Sequence, residues 1–189
     1  MIKSNNIISR DMLDMLRACK GKKLEFLLRA EIGKKTSFEV VILRFKEYDL
    51  EIWSLEQPYK EGGLSDLAKI IVKNNPAKDS LAPIGNKRDN GTFQHDEFAR
   101  TSINQTIIGI TVHNELVKSF DEKGSVDFLL ANTYAISISL GKRYLHIVKE
   151  PYWSEIWEVS FHQSPVPKAP EWDESEGDKH EITYSVFEL

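Results

Sequence analysis

The chain has one cysteine, Cys19, in 189 residues. No intramolecular disulfide and no cysteine-based zinc site can form, which fits a reducing compartment. No apolar run approaches the length of a membrane span. The first twenty residues carry too many charges for the apolar region of a signal peptide. A cytoplasmic protein with no membrane partner is the expectation. Glycine-rich phosphate loops are missing too, since Gly62-Gly63 lacks the downstream Lys-Ser/Thr or third glycine such loops need. There is no Gly-x-Ser-x-Gly elbow and no His-Glu-x-x-His helix. These absences weigh against the common enzyme classes, and no cofactor is expected. An excess of positive charge is also lacking: 25 Lys and Arg stand against 29 Asp and Glu, a net charge of -4. Nucleic acid is therefore not the expected partner, because phosphate binding is driven by clustered cations. A basic protein surface is compatible with this charge.

What is present is an ordinary globular composition, 41% apolar and 29% charged, long enough for one sizeable core. Its clearest pattern is Ala135–Val148. Ile136, Ile138 and Leu140 alternate with Ser137 and Ser139, and Leu145 and Ile147 alternate with Tyr144, His146 and Val148. Period-2 alternation is the mark of a half-buried strand. Gly141-Lys142 between the runs suits a two-residue hairpin turn with glycine at its first central position. That turn sets Ile138 opposite Leu145, Ile136 opposite Ile147, Ser137 opposite His146 and Ser139 opposite Tyr144. Residues 40–53 repeat the pattern, with Val41, Leu43, Phe45, Leu50 and Ile52 in the places of Ile136, Ile138, Leu140, Leu145 and Ile147. In this register Arg44 lies opposite Asp49, a favourable cross-strand pair. Both copies run on into Pro-Tyr, at Pro58-Tyr59 and Pro151-Tyr152. Two unrelated amphipathic hairpins or an internal duplication would each explain the match. The first copy has no turn glycine, so a longer or bulged turn is expected there.

Around these hairpins, residues 9–20 read as a helix, with Ile8, Met12, Met15, Leu16 and Cys19 at spacings of three and four, Ser9 as N-cap and Gly21 as terminator. Cys19 falls on the apolar stripe and reads as a buried structural thiol. Leu24–Ala30 is a strand, and Gly33-Lys34-Lys35 a turn. Leu64–Asn74 fits a helix through Leu64, Leu67, Ala68 and Ile71, or a short strand through Ile70-Ile71-Val72; the helix is the preferred reading. From Asn74 to Gln105 the periodicity dissolves, with one helical turn expected at Asp96–Ser102. A strand follows from Thr106 through about Val112, then a hairpin loop at Asp121–Gly124. Strands at 126–131 and 134–140 are separated by a break near Asn132-Thr133. Glu155–His162 is a strand with Trp157, Val159 and Phe161 on its core face. Pro165, Pro167 and Pro170 favour an extended path. The final ITYSVFEL segment alternates as a last strand and pins the acidic run before it at both ends. The fold class is α+β, mainly antiparallel β-sheet in hairpins with an N-terminal helix. One domain, 1–189, is the simpler organisation; the alternative is two similar β-rich halves, 1–74 and 106–189, joined by an irregular segment 75–105.

The candidate sites are few. His95 beside Asp96 and Glu97 could act as a general base or metal ligand, the arrangement a small hydrolase or metal-dependent enzyme would use. His113, His146 and His162 lie on strands near the polar face and would form a metal site only if those strands were neighbours; no metal site is assigned. Trp153 sits in an aromatic concentration suited to an interface. The most distinctive run is Glu171–Asp178, five carboxylates around Trp172. Asp173, Glu174, Glu176 and Asp178 would steer a basic partner, with Trp172 as anchor. Gly21-Lys22-Lys23-Leu24 entering a strand, the Leu50-Glu51-Ile52 and Leu145-His146-Ile147 strands, and the acidic run 171–178 together resemble the bacterial toxin-immunity proteins in style. That resemblance implies a small acidic α/β protein without catalytic motifs that binds and blocks a toxin domain such as a basic nuclease. It transfers no binding residues, because these families share no fixed contact set. An assembling structural subunit, using a sheet face or edge, is a further alternative.

Overall fold

The computed structural model describes residues 2–30, 40–57, 67–76, 98–149, 157–169 and 179–189. In chain order these form β1 (Ile2–Asn6), α1 (Arg10–Arg17), β2 (Lys23–Ala30), β3 (Val40–Arg44), β4 (Tyr48–Gln57), β5 (Leu67–Pro76) and β6 (Phe98–Thr106). They continue with β7 (Gly109–Phe120), β8 (Val126–Ser139), β9 (Tyr144–Lys149), β10 (Trp157–His162) and β11 (Lys179–Glu188). The structure is mostly antiparallel β-sheet with one short helix among the described residues, as the alternation requires.

Both hairpins have the register that their side chains dictate. Ile138 pairs with Leu145, Ile136 with Ile147, and Ser137 with His146. Leu43 pairs with Leu50, Val41 with Ile52, and Arg44 with Asp49. The expectation of a longer or bulged first turn is corrected. Phe45 N–H donates to the Tyr48 carbonyl and Leu140 N–H to the Arg143 carbonyl, each at 2.9 Å, so the two turns have equal length. Gly141 takes a φ of +87°, where a Cβ would strain the backbone, whereas Lys46 and Glu47 turn the chain without a positive φ.

The match extends far beyond the hairpins. One sheet has the order β5-β4-β3-β2-β6 and the other β10-β9-β8-β7-β11, with β1 added parallel to β8. Each is thus a four-strand antiparallel meander whose fifth strand returns to pair with the first. Val72 opposite Ile52 corresponds to Val159 opposite Ile147, and Ile70 opposite Ser54 to Trp157 opposite Lys149. The two sheets are topological copies of each other. Their apolar faces contribute to one core, which holds Leu27, Leu43, Leu50 and Ile70 of the first sheet with Ile110, Ile138, Leu145 and Trp157 of the second. Burying each such side chain is worth about 1.5–3 kcal/mol, so this interior dominates the favourable side of folding.

The helix lies against β5. The Ser9 hydroxyl accepts from Met12 N–H at its start. Ile8, Leu16 and Cys19 enter the core. The Cys19 thiol donates to the Met15 carbonyl at 3.4 Å and accepts from Tyr48 Oη at 3.4 Å; burial pushes its pKa up, as expected of a structural thiol.

Several expectations are overturned. Residues 67–76 are strand β5, not helix: Ile70 and Val72 turn into the core and Ile71 packs with Trp53 on the other face, so pairing along β4 overrides the helical spacing. Phe98–Ser102 is strand, not a helical turn. It opens β6, a polar edge strand that sends Ile103 into the core and so lacks a readable period. This strand, placed in the irregular joining segment, belongs to the first sheet. β8 is continuous through Asn132-Thr133. The irregularity is a bulge at Tyr134, one extra residue between the Asn114–Thr133 and His113–Ala135 pairs. The strand expected from Thr106 starts at Gly109, because Ile107 instead donates to the Lys22 carbonyl and accepts from Gly21 N–H. Strand β1 has no readable period, being five residues with one apolar side chain. The turn at 33–35, the Pro-Tyr pairs and residues 64–66 lie outside the described residues.

A shared interior predicts that Leu43→Ala and Ile138→Ala each lower the midpoint of a single urea unfolding transition, each costing about 2–5 kcal/mol of stability. Two separate transitions, one moved by each substitution, would show independent sheets.

Candidate functional site

The second sheet has a polar face opposite its core face, and the chain covers it. On β7, β8 and β9, His113, Ser137 and His146 point to this side and are no more than 2% exposed. Residues 163–169 run across them as a strap. Pro167 is buried, and Ala169 packs on Tyr134, Ala135 and Val148. The Ser164 side chain shapes the strap: its hydroxyl donates to the Val166 carbonyl and accepts from Val166 N–H, each at 3.3 Å.

Hydrogen-bond chemistry assigns every proton in this row. The Ser164 carbonyl can only accept, so the His146 Nε2–H donates to it, at 2.9 Å. The neutral ring then leaves Nδ1 as acceptor, and the Ser137 hydroxyl donates to it at 2.8 Å. Ser137 Oγ in turn accepts from His113 Nε2–H at 2.8 Å. His113 Nδ1 is the acceptor end of the chain, buried with no hydrogen-bond partner. A proton added to His113 would therefore meet no acceptor. Burial, helped by His146, lowers the His113 pKa to about 4, and burial also lowers that of His146 against the raising effect of the Ser164 carbonyl. His162 on β10 stands with its ring 5.4 Å from His146 and its Nε2 3.0 Å from Ser160 Oγ.

Beyond the Tyr134 bulge the polar side continues. Asn132 Nδ2 donates to Glu115 Oε1 at 3.0 Å, and Lys149 Nζ reaches Asn132 Oδ1 at 3.5 Å. Burial lowers the Lys149 pKa to about 8, while the Glu115 charge acts to raise it. Tyr134 meets the edge of Tyr184 at 5.8 Å and lies 5.9 Å from the His113 ring. In the other sheet, Glu51 occupies the position matching His146. It too is buried and satisfied, accepting from Trp53 Nε1 at 2.9 Å and from Asn75 Nδ2 at 2.5 Å.

This arrangement binds the strap to the sheet. A serine between two imidazoles has the atoms of a nucleophile and its base. Here, however, both rings and the hydroxyl are no more than 2% exposed, and the row's outward bond holds Ser164 of the strap. The strand neighbours needed for a three-imidazole metal site are partly realised, since His146 stands near His162 and is linked to His113 through Ser137. Among the described residues no group of three His, Cys, Asp or Glu side chains is placed to hold a metal ion. His95, Asp96, Glu97, Trp153, Trp172, Asp173, Glu174, Glu176 and Asp178 lie outside the described residues, so the structure neither gathers nor separates them. Among the described residues no helix is long and apolar enough to cross a membrane.

The Ser137–His146 contact is readable from the hairpin alone. His113 is not. Two one-residue bulges, at His113/Asn114 and Ser119/Phe120, shift the β7–β8 register, and counting back from the Asp121–Gly124 loop would set Gly109, not Thr111, opposite Ser137. Comparison with family models, with curated proteins and with solved structures finds no match to the chain.

The unfolded chain protonates His113 near pH 6.5 and the folded chain only near pH 4, so the unfolded state binds more protons between these values. Stability should therefore hold above about pH 7 and fall as pH drops from about 6.5 to about 4, by about 3 kcal/mol from this ring. Urea unfolding across this range should show the slope, and His113→Gln should flatten it. An unchanged slope in the variant would assign the acid sensitivity elsewhere.

Proposed function

We propose that the chain is a non-enzymatic protein-binding module acting in the cytoplasm, of the kind in which an immunity protein neutralises a toxin domain. One observation carries this reading: the chain on either side of the acidic run is fastened to the same sheet. Before the run, Ala169 packs on Tyr134 and Val148, and His146 donates to Ser164. After it, Lys179 pairs with Phe120 at the start of β11. Anchored ends lower the ordering cost of presenting a charged segment to a partner. The run itself supplies the recognition chemistry. Asp173, Glu174, Glu176 and Asp178 offer concentrated negative charge, which speeds encounter with a basic surface, and Trp172 offers an apolar anchor. Trp153 is a second aromatic contact of the same kind. The buried row fits a scaffold role, because its hydrogen bonds run from ring to hydroxyl to ring and out to the strap.

The test uses a partner captured from the source organism's lysate, identified and purified. Association is then measured at low and high salt with the wild-type chain and with Asp173→Asn, Glu174→Gln, Glu176→Gln and Asp178→Asn combined. Removing four carboxylates should slow association about tenfold or more at low salt and reduce its salt dependence, with a smaller effect on dissociation. An on-rate equal to the wild type at both salt concentrations would take the acidic run out of the interface.

A further inference from the structure

β11 lies at the end of its sheet, next to β7. Edge strands of soluble proteins are usually guarded by charge, proline or a bulge, because their open main-chain groups can capture another strand. Between Glu181 and Glu188, β11 reads Ile182-Thr183-Tyr184-Ser185-Val186-Phe187, with no charge and no proline. Tyr184, Val186 and Phe187 are 50%, 60% and 44% exposed, and they make up half of the six large apolar side chains exposed among the described residues. The β7–β11 register runs unbroken over ten residues, so no bulge bends this edge away.

The direction of the open main-chain groups follows from one hydrogen bond. Leu189 N–H donates to the Ile110 carbonyl at 2.9 Å, which makes these residues a directly opposed hydrogen-bonded pair. Alternation then points the main-chain groups of Thr183, Ser185 and Phe187 at β7. Those of Ile182, Tyr184 and Val186 point to the open side. The side chains of these last three also share one face, the face on which Ile182 packs with Val117 and Leu130.

We propose that β11 pairs antiparallel with β11 of a second copy of this chain, about a two-fold axis through Tyr184. The strand is complementary to itself in this register. Tyr184 meets Tyr184, and Ile182 meets Val186 of the second copy, so each apolar side chain of the row faces another. His180 comes opposite Glu188 of the second copy, placing an imidazole against a carboxylate at each end. Glu181 faces Phe187 of the second copy and meets no like charge. Moving the axis to Thr183 would set Val186 against His180, and moving it to Ser185 would set Ile182 against Glu188. The pairs Tyr184–Tyr184, Ile182–Val186 and His180–Glu188 consist of residues whose N–H and C=O face the open side, so each exchanges two main-chain hydrogen bonds, while Glu181–Phe187 lies between them as a non-hydrogen-bonded pair. The two sheets then join into one, and the proposal does not depend on the acidic run.

Sedimentation equilibrium of the full chain from about 5 to about 500 μM spans the affinities of small interfaces. The wild-type mass should rise from 21.7 kDa toward twice that value. Val186→Pro deletes an N–H that faces away from β7, so the β7 ladder keeps its bonds while the open side loses one. Val186→Lys places a charge against Ile182 of the second copy. Both variants should stay at 21.7 kDa throughout and keep the wild-type thermal midpoint at the lowest concentration. Ser185→Pro removes a bond to β7 and should lower that midpoint. A wild-type chain that remains monomeric to the top of the range overturns the proposal, as does dimerisation of both Val186 variants at wild-type concentrations.

Discussion

A main-chain carbonyl cannot donate, and at Ser164 this restriction, joined to the burial that keeps the rings neutral, orders a whole face of the protein. His146 must give its Nε2 proton to the strap. Its other nitrogen must then receive from Ser137, and Ser137 must receive from His113. Each ring is held neutral by its burial, which in His146 outweighs the raising effect of the Ser164 carbonyl. A protonated His146 would present Nδ1–H to Ser137, displacing the hydroxyl proton from its acceptor. The strap and the sheet are thus joined by a chain of hydrogen bonds with one consistent direction. Its cost of failure is high, because a buried polar group without its partner loses about 1–3 kcal/mol.

That polar face exists because the opposite faces are apolar. Two sheets with the same strand order put their matched residues, Leu43 and Ile138, Leu50 and Leu145, into one interior. In the first sheet the other side is mainly apolar, with Leu28, Val40, Ile42 and Trp53 clustered around a satisfied Glu51. In the second it is polar, with Ser137 where the first has Ile42 and His146 where the first has Glu51. A repeated scaffold with one modified face is a simple way to hold a distinct segment, here residues 163–169, against a sheet.

How far the sequence reveals this depends on the range of each contact. Hairpin pairs are local, so Arg44–Asp49 and Ser137–His146 follow from the turn and the alternation. The helix follows from Ser9, Gly21 and the spacing between them. Contacts that cross a bulge are hidden: Tyr134 shifts the register and conceals His113 from any count along the chain. β6 is hidden for another reason, since an edge strand with one side chain in the core shows no period. β5 misled because Leu67, Ala68 and Ile71 carry helical spacing while Ile70 and Val72 carry the burial. The match between the two sheets is half visible in the sequence. Its hairpins align by sequence, but the returning strands β6 and β11 share a place in the topology and no obvious pattern. The acidic run and its tryptophan stand out by composition, and the structure adds where the chain on each side of them is fixed.

The direction of the hydrogen-bond chain is the claim on which the strap, the acid sensitivity and the anchoring of the acidic run all rest. Long-range proton–nitrogen NMR of the histidine rings at pH 7 reads it directly. The account predicts that His113 and His146 are both neutral and both carry their proton on Nε2. A proton on Nδ1 of either ring, or a cationic ring at that pH, would contradict it.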